Sequence, residues 1–325
     1  MSYTVALIGA GQLGSRHLQA MAKSQLEISI EVVEPFEGSR ITAEERYHEV
    51  PTNQNITQIS FLESLDELSI ELDIVIIATN SDIRSQIVKD LLSKKKVNYL
   101  VLEKVLFQTV NEYFEIADLL SSTQTQCWVN HPRRMFPFYR EFKNNLQDAK
   151  NVVYTVQGGE WGLACNGLHL IDHLSYLTDT HNIRLDNTFL HNKIYETKRK
   201  NFIEVNGELK GTLDNNSFSL SCQENYSPMI ITIISDMLTA FIDETNGYVR
   251  YAQKSNNWQW KIINTKIVYF QSELTNLIIE GLLGKASCDL PTYNEAMNLH
   301  IPFIKSILDK MEKVNGKKYT VCPIT

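Results

Sequence analysis

The sequence predicts an α/β protein with an N-terminal doubly wound parallel sheet and a C-terminal α+β domain built on a large, mostly antiparallel open sheet. Two patterns predict this order. Up to about residue 130, short apolar runs alternate with helix-like periodicity, which is typical of parallel strands joined by right-handed crossovers. From about residue 188 to residue 263, strand-like runs are separated by hairpin-type turns at Asn206-Gly207, Asp214-Asn215-Asn216 and Asn246-Gly247. We therefore predict two domains, residues 1–130 and 131–325.

The composition excludes several classes of protein. The 325 residues are 43% hydrophobic and 21% charged, which is ordinary for a soluble globular chain. The net charge of −7 argues against a nucleic-acid partner. The five cysteines are widely spread without a C-x-x-C pair, so they indicate neither a disulfide framework nor a structural zinc site.

No targeting or membrane segment is predicted. The first predicted strand begins at Thr4, which leaves no room for a signal peptide. The longest apolar runs, such as Ile74–Ala78, are far too short to cross a bilayer. We therefore expect a cytoplasmic protein that does not contact a membrane.

Each element of the first domain follows from a local pattern. The run Leu72–Thr79 is almost continuously apolar, which suits a parallel strand covered on both faces. The predicted strands are Thr4–Ile8, Ile28–Val33, Asn55–Phe61, Leu72–Thr79, Asn98–Leu102 and Gln126–Asn130. The predicted helices run from Gly14 to Lys23, over Gly38–Tyr47, from Ser81 or Asp82 to Ser93, and over Thr109–Ser121.

The second domain mixes helices with strands. Asn151–Gln157 predicts a strand, and Gly158–Gly162 reads as a flexible junction. Helical periodicity covers Phe136–Leu146, Leu168–Leu177, Lys266–Gly281 and Tyr293–Val314.

A glycine turn follows the first strand and opens the first helix. In Gly9-Ala10-Gly11-Gln12-Leu13-Gly14, the first glycine permits the tight turn and Gly11 lets the backbone approach a pyrophosphate. Gly14 lets the helix pack on the strand, and the helix N-terminus presents N–H groups to phosphate. This pattern predicts a dinucleotide-binding Rossmann domain, with Gln12 and Leu13 in its binding loop. The alternatives are a glycine turn in an unrelated α/β fold, or one that binds FAD or a mononucleotide.

An acid ends the second strand. Glu34 lies 20 residues past Gly14, where a carboxylate accepts hydrogen bonds from the adenosine ribose. Its charge repels a 2′-phosphate, so NAD is favoured, while the nearby Arg40 keeps NADP possible.

Two further polar segments, Thr79-Asn80 and Glu103-Lys104, end predicted parallel strands. Ligands of such sheets bind at the carboxyl ends of the strands, so we expect all four residues to meet the cofactor there. Lys104 can hydrogen-bond a substrate hydroxyl and stabilise negative charge as an alcohol becomes a carbonyl. The alternative is a surface lysine paired with an acid.

A histidine pair lies in the segment Trp161–His173. On a helix, His169, Asp172 and His173 share one face. They could bind zinc, serve as hydrogen-bonded core or cap residues, or provide His169 as a general base for hydride transfer. The last reading fits a dinucleotide partner best.

Two arginines follow the last strand of the first domain. Arg133 or Arg134 could hold an anionic substrate group or brace the cleft between the domains. An arginine pair at a domain junction is also commonly structural.

Together these segments resemble the Gfo/Idh/MocA oxidoreductases, the family of glucose–fructose oxidoreductase and inositol dehydrogenase. The resemblance rests on Gly9–Gly14, Ala78-Thr79-Asn80, Glu103-Lys104, Asn130–Pro137 and Gly167-x-His169-x-x-Asp172. It implies reversible oxidation of a sugar or polyol hydroxyl with Lys104 and His169 as the catalytic pair. It also implies a sheet domain used for self-association, as a homodimer or homotetramer.

The sequence departs from the family pattern at two positions. Val105 stands where the family usually has proline after Glu-Lys, so the turn that aims Lys104 could differ. Cys165 stands where the family often has an acid, four residues before its histidine. A thiol there removes one hydroxyl acceptor and leaves His169 less basic, with Asn166 as the replacement hydrogen-bonding group.

The favoured hypothesis is an NAD(P)-dependent oxidoreductase that transfers a hydride between nicotinamide and a hydroxyl or keto carbon. The substrate would be a sugar, a polyol or a nucleotide sugar used in surface-glycan synthesis. Its predicted contacts are Arg134, Trp161, Cys165, Asn166 and Asp172. The alternatives are a non-catalytic dinucleotide-binding sensor or scaffold, and an enzyme that uses NAD to cleave a glycosidic bond.

Overall fold

The computed structural model describes residues 2–325, which fall into two compact units. The first unit comprises the chain up to Phe107 together with Asn111–Pro132 and Tyr269–Tyr293. The second comprises Gln108–Val110, Arg133–Val268 and Asn294–Thr325. The first unit therefore takes in Tyr269–Tyr293, which the sequence analysis assigned to the second domain.

A six-stranded parallel sheet forms the centre of the first unit, in the order β3-β2-β1-β4-β5-β6. The predicted doubly wound parallel sheet is confirmed. Its strands are β1 (Tyr3–Ile8), β2 (Ile28–Val33), β3 (Ile56–Leu62), β4 (Glu71–Ile77), β5 (Lys96–Glu103) and β6 (Gln126–Asn130). The helices of this part of the chain are α1 (Gly14–Met21), α2 (Glu37–His48), α3 (Ser81–Lys94), α4 (Val110–Thr123) and, later in the chain, α7 (Thr275–Lys285).

The strand order reverses between β1 and β4, and this point positions the site. Residues Val5–Leu7 of β1 and Ile74–Ile77 of β4 are buried, because helices cover both faces of the sheet. Polar segments that follow β1 and β4 therefore leave the same edge of the sheet, where ligands of open α/β sheets bind.

The second unit contains an eight-stranded sheet in the order β16-β15-β14-β13-β7-β12-β11-β8. Neighbouring strands are antiparallel except for β7 and β12, so the predicted mostly antiparallel sheet is confirmed. Its strands are β7 (Val153–Gly159), β8 (Ile183–Asp186), β11 (Gly207–Leu213), β12 (Asn216–Gln223), β13 (Ser227–Ile234), β14 (Leu238–Asp243), β15 (Tyr248–Gln253) and β16 (Lys261–Asn264). A separate ribbon pairs β9 (Tyr195–Glu196) with β10 (Ile203–Glu204), and the helices are α5 (Pro137–Asn144), α6 (Leu163–Thr178) and α8 (Tyr293–Asn315).

The two faces of the eight-stranded sheet differ. In β13, Ile231 and Ile233 are completely buried, whereas Ile230 and Thr232 are half-buried and Ile234 is exposed. Alternation with a period of two residues places one apolar set inward and the other outward. At the β13–β16 end, the outward face presents apolar side chains to solvent: Phe241 is 40% exposed and Ile262 is 58% exposed.

Several predicted boundaries were wrong for local reasons. Asn206-Gly207 is not the turn of a hairpin, because β10 pairs with β9 and β11 pairs with β8 and β12. Gly158 and Gly159 are not a flexible junction but the end of β7, where a Cβ on Gly159 would lie 1.8 Å from the Asn225 carbonyl oxygen.

Two helices begin at other residues than predicted. Helix α6 begins at Leu163 rather than Leu168, since Gly167 does not interrupt it but packs against the Phe303 ring. Helix α7 begins at Thr275 rather than Lys266. The Phe270 N–H bonds to the Glu273 carboxylate at 2.9 Å and closes a single 3₁₀ turn ahead of α7.

Candidate functional site

The glycine turn has the steric requirements that the sequence predicted. Gly9 has a φ of +86°, and a Cβ on it would lie 2.8 Å from the Thr79 methyl group. A Cβ on Gly14 would lie 1.8 Å from the Gly9 carbonyl oxygen. Gly11 instead faces open space within 4 Å, where a pyrophosphate could approach its backbone. Helix α1 begins at Gly14 without a capping side chain, and the N–H groups of Ser15 and Arg16 bond to the carbonyl oxygens of Gly11 and Leu13 at 2.9 Å.

The rest of the turn is held from α2. The Gln12 amide oxygen accepts a hydrogen bond from the Arg46 guanidinium at 2.9 Å, and the same guanidinium reaches the Ser15 hydroxyl at 2.6 Å. Leu13 is 39% exposed. Arg46 was missed by the sequence analysis, and it adds positive charge next to the predicted phosphate site.

Glu34 joins the end of β2 to the glycine turn. Its carboxylate is almost completely buried and accepts N–H bonds from Ala10 at 2.8 Å and from Phe36 at 3.1 Å. Arg40 donates to the carbonyl oxygens of Glu34 and Pro35 and to the Glu63 carboxylate at 2.7 Å. The arginine that kept NADP possible is therefore engaged by an acid and two carbonyl groups.

Thr79 follows β4 at the point where the strand order reverses. Its hydroxyl oxygen is buried, and no hydrogen-bond partner is found for it among residues 2–325. A buried hydroxyl without a partner is costly, so this group fits a ligand that supplies one. Asn80 is exposed at the N-terminus of α3, and its side chain does not cap that helix.

Arg84 of α3 fixes the turn that carries Lys104. The guanidinium is 1% exposed and donates to the carbonyl oxygens of Glu103 at 2.7 Å and Leu106 at 2.9 Å. It also donates to those of Val105 and Thr79, so it ties the end of β4 to the end of β5. The Lys104–Val105 peptide bond is cis. Burial lowers the pKa of Arg84 to about 10, which still leaves it charged at neutral pH.

The Glu103 carboxylate points into the first unit. It lies 3.0 Å from His17 Nε2 and accepts a hydrogen bond from the Asn130 amide, while His17 Nδ1 contacts the Thr275 hydroxyl at 2.9 Å. Burial opposes ionisation of Glu103, but the contacts with His17 and Asn130 outweigh it, and its pKa lies below the ordinary value. The predicted cofactor contact of Glu103 stays a prediction.

In the second unit, Trp161 and Asn166 hold the start of α6. The Trp161 indole donates to the Ser221 carbonyl oxygen at 2.9 Å, and the Asn166 amide donates to the Trp161 carbonyl oxygen at 2.5 Å. Gly162 between them has a φ of +75°. His169 and Cys165 are both half-buried, one helical turn apart on α6.

Asp172 and Arg134 bind each other. The Arg134 guanidinium donates to both carboxylate oxygens of Asp172 at 2.7–3.1 Å, and both side chains are buried. Burial disfavours the charged guanidinium, but the Asp172 charge outweighs this effect and raises the pKa of Arg134. The pair fixes the face of α6 that also carries His169.

His173 is a core residue. Its Nδ1 lies 3.0 Å from the Tyr154 hydroxyl, and its ring packs 4.0 Å from the Tyr139 ring centroid. Burial lowers the pKa of His173 to about 3, so the imidazole is neutral near neutral pH. The Arg133 guanidinium donates to both carboxylate oxygens of Glu244, at 2.6 and 2.9 Å. Among residues 2–325 no three His, Cys, Asp or Glu side chains are grouped as a metal site.

Comparison with known proteins gives a family match for the N-terminal part of the chain. Residues 3–131 match the sequence model of the Gfo/Idh/MocA oxidoreductase family, NAD-binding Rossmann fold. The predicted resemblance and the predicted cofactor, NAD, are confirmed. A comparison with curated proteins found no match.

Solved structures share the fold over nearly the whole chain. One is UDP-N-acetylglucosamine 3-dehydrogenase from Acidithiobacillus ferrooxidans, with 14% identity, coverage of 94% of this chain and 97% of that chain, and a TM-score of 0.68. An oxidoreductase from Agrobacterium radiobacter, in complex with NAD⁺, L-tartaric acid and magnesium, has 11% identity, 98% coverage of both chains and a TM-score of 0.72. The transcriptional regulator Gal80p from Kluyveromyces lactis has 16% identity, coverage of 99% and 94%, and a TM-score of 0.69. No helix within residues 2–325 combines the length and apolarity needed to span a membrane.

Proposed function

Residues 3–131 match the model of the NAD-binding Rossmann domain of the Gfo/Idh/MocA oxidoreductases, and from this match we propose that the chain is an NAD-dependent dehydrogenase. It transfers a hydride between nicotinamide and the hydroxyl or keto carbon of a sugar-like substrate. The main support for the proposal comes from the edge of the parallel sheet where the strand order reverses between β1 and β4. At this edge the glycine turn contacts the Glu34 carboxylate through Ala10 and packs against Thr79 through Gly9. The buried Thr79 hydroxyl has no hydrogen-bond partner among residues 2–325.

The chain's own residues would perform the proton chemistry. NAD, when bound, supplies the hydride acceptor. Lys104 donates a hydrogen bond to the substrate oxygen and stabilises negative charge on it, and His169 accepts the hydroxyl proton. Arg84 holds the carbonyl groups on both sides of Lys104, so it aims the lysine at the cofactor edge.

The start of α6 would recognise the substrate. Trp161 offers an aromatic face and Asn166 an amide, and Cys165 lies between Asn166 and the turn at Gly162. Because Asp172 is completely buried against Arg134, we propose that this pair orients α6 and contacts substrate only at its edge.

A nucleotide sugar is the substrate class we favour, for use in surface-glycan synthesis. Support comes from the shared fold of a UDP-N-acetylglucosamine dehydrogenase, which covers 94% of this chain. The test is NADH absorbance with NAD and a panel of polyols, free sugars and nucleotide sugars, for the native protein and for His169→Asn. Turnover with a panel member that is lost in the variant supports the proposal. Absence of turnover with every member counts against it.

A non-catalytic dinucleotide-binding protein is the second candidate. One support is that the first turn of α6 contains Cys165 and no acidic residue. The other is that a transcriptional regulator shares the fold. This candidate predicts NAD binding by calorimetry without substrate-dependent NADH formation.

We also propose that the chain self-associates as a dimer or tetramer through the outward face of its eight-stranded sheet. At the β13–β16 end this face presents Ile234, Phe241 and Ile262, and Arg250 stacks on Trp260 at 4.4 Å. An apolar area of this kind, rimmed by polar residues, is typical of a protein–protein contact.

A further inference from the structure

Glu204 of β10 lies at the N-terminus of α6, although it is 40 and 39 residues distant in sequence from the Ala164 and Cys165 that it contacts. Its backbone is fixed from several sides. Phe202 and Val205 are buried, and the Ile203 N–H donates to the Pro323 carbonyl oxygen at 2.8 Å. A side chain on so well anchored a strand presents its charge at a defined place.

The Glu204 carboxylate caps α6. It accepts N–H bonds from Ala164 and, at 3.3 Å, from Cys165, and one of its oxygens accepts the Val205 N–H at 2.9 Å. A Cβ on Gly162 would lie 3.1 Å from its other oxygen, so the positive-φ glycine leaves room for it. Helix α6 has no acid in its own first turn. The chain therefore places a carboxylate from another strand where the helix carries none.

His169 lies on the same face of α6 as Cys165, about one turn beyond the N–H groups that Glu204 caps. It follows Cys165 by four residues, so their Cβ atoms are about 5–6 Å apart. Helical side chains lean toward the helix N-terminus, which brings the imidazole toward the capped turn. The other titratable groups of this face have different roles, because Asp172 is ion-paired with Arg134 and His173 is neutral in the core.

We propose that Glu204 is a positioning residue for His169: its negative charge favours the protonated imidazole and so makes His169 a stronger base. This inference rests on the proposed function, since it assigns Glu204 to the dehydrogenase site. Glu204 supplies, from β10, a carboxylate at the first turn of α6, where the helix itself has Cys165 and no acid. A cap of purely structural value would stabilise α6 and leave the basicity of His169 unchanged.

The test needs no substrate. In the full chain labelled with ¹³C-histidine, the titration of each imidazole is followed by NMR, and the His169 signal is assigned with His169→Asn. We expect Glu204→Gln to lower the midpoint of the His169 titration by about 0.5 pH unit or more. The control is Glu196→Gln, an exposed acid of the same two-stranded ribbon, which should leave the midpoint unchanged.

A rescue separates charge from capping. Cys165→Asp combined with Glu204→Gln puts a carboxylate back on the first turn of α6, and it should return the His169 midpoint toward the native value. The double variant also serves if Glu204→Gln alone does not fold. An unchanged midpoint in Glu204→Gln, or a double variant without recovery, overturns the proposal. The His169 titration midpoints of the single and the double variant are measured without turnover. Failure of the sugar panel would therefore contradict the dehydrogenase proposal and not the inference about Glu204.

Discussion

The Glu34 carboxylate accepts a hydrogen bond from the Ala10 backbone N–H at 2.8 Å, which ties the end of β2 to the turn after β1. The acid predicted to bind the ribose and the turn predicted to receive the pyrophosphate are thus one hydrogen-bonded unit. With Arg40 held by Glu63, the negative Glu34 is the group that a 2′-phosphate would meet. We therefore expect NAD to bind more tightly than NADP.

Replacing Glu34 tests this unit. Glu34→Gln should weaken NAD binding by roughly tenfold or more, because a charge-assisted hydrogen bond is worth about 1.5–3 kcal/mol. It should also narrow the gap between NAD and NADP. Calorimetric titration with both cofactors measures each effect. Glu37→Gln, at an exposed acid three residues on, should bind like the native protein; equal losses in the two variants would rule out a specific ribose contact.

Arg84 should be important for stability as well as for aiming Lys104. Arg84→Met leaves three buried carbonyl groups and one part-buried carbonyl group without their donor and should lower the free energy of unfolding by about 3 kcal/mol or more. Urea denaturation measures the loss. On the same helix, Lys89 forms only an exposed pair with Glu115, so Lys89→Met should change stability by less than about 0.5 kcal/mol. A similar loss in the two variants would contradict the role given to Arg84.

His173 should make stability fall in acid. Its pKa is about 3 in the fold against 6.5 when exposed, so between these values the unfolded chain binds the extra proton. The stabilisation that comes from neutral His173 is therefore fully present above about pH 6.5. As the pH falls toward about 3, the free energy of unfolding decreases by up to about 1.4 kcal/mol per pH unit. Urea denaturation across this range should show a shallower pH slope for His173→Gln. Exposed His48→Gln should keep the native slope, and an unchanged slope in His173→Gln would refute the assignment.

The outward sheet face should hold the oligomer together. Phe241→Lys places a charge among Thr232, Arg250 and neighbouring apolar groups, and it should convert a native dimer or tetramer to a smaller species. Light scattering measures the mass. Thr212→Lys lies on the same face beside Arg184, at the opposite edge of the sheet, and should leave the mass unchanged. A native monomer, or an unaltered mass in Phe241→Lys, would remove this face as the contact.

Local patterns predicted those parts of the fold that local physics determines. Glycine spacing, the acid at Glu34 and the apolar run of β4 are each set within a few residues, and the structure has them in the expected elements. The signal for Arg84 was also present, since it occupies the buried stripe of α3 with Ser81, Ser85 and Val88. An arginine in such a stripe indicates a buried set of acceptors.

Long-range placement could not be predicted in this way. Nothing near Glu204 in sequence indicates that it caps α6, because that contact depends on how β10 is anchored by Pro323. The return of Tyr269–Tyr293 to the first unit depends likewise on pairs such as His17 with Thr275, separated by 258 residues. One-dimensional periodicity carries no information on such pairs.

We propose that Lys104 and His169 act on one bound nicotinamide, and a crystal structure with NAD tests this proposal most directly. We expect Lys104 Nζ and the His169 imidazole both to lie on the substrate side of the nicotinamide ring. Each should be within roughly 7 Å of nicotinamide C4, the sum of the distance from C4 to the reacting carbon, one C–O bond and a hydrogen bond. A ring with either side chain distant from C4, or NAD bound away from the Gly9–Gly14 turn, would contradict the account.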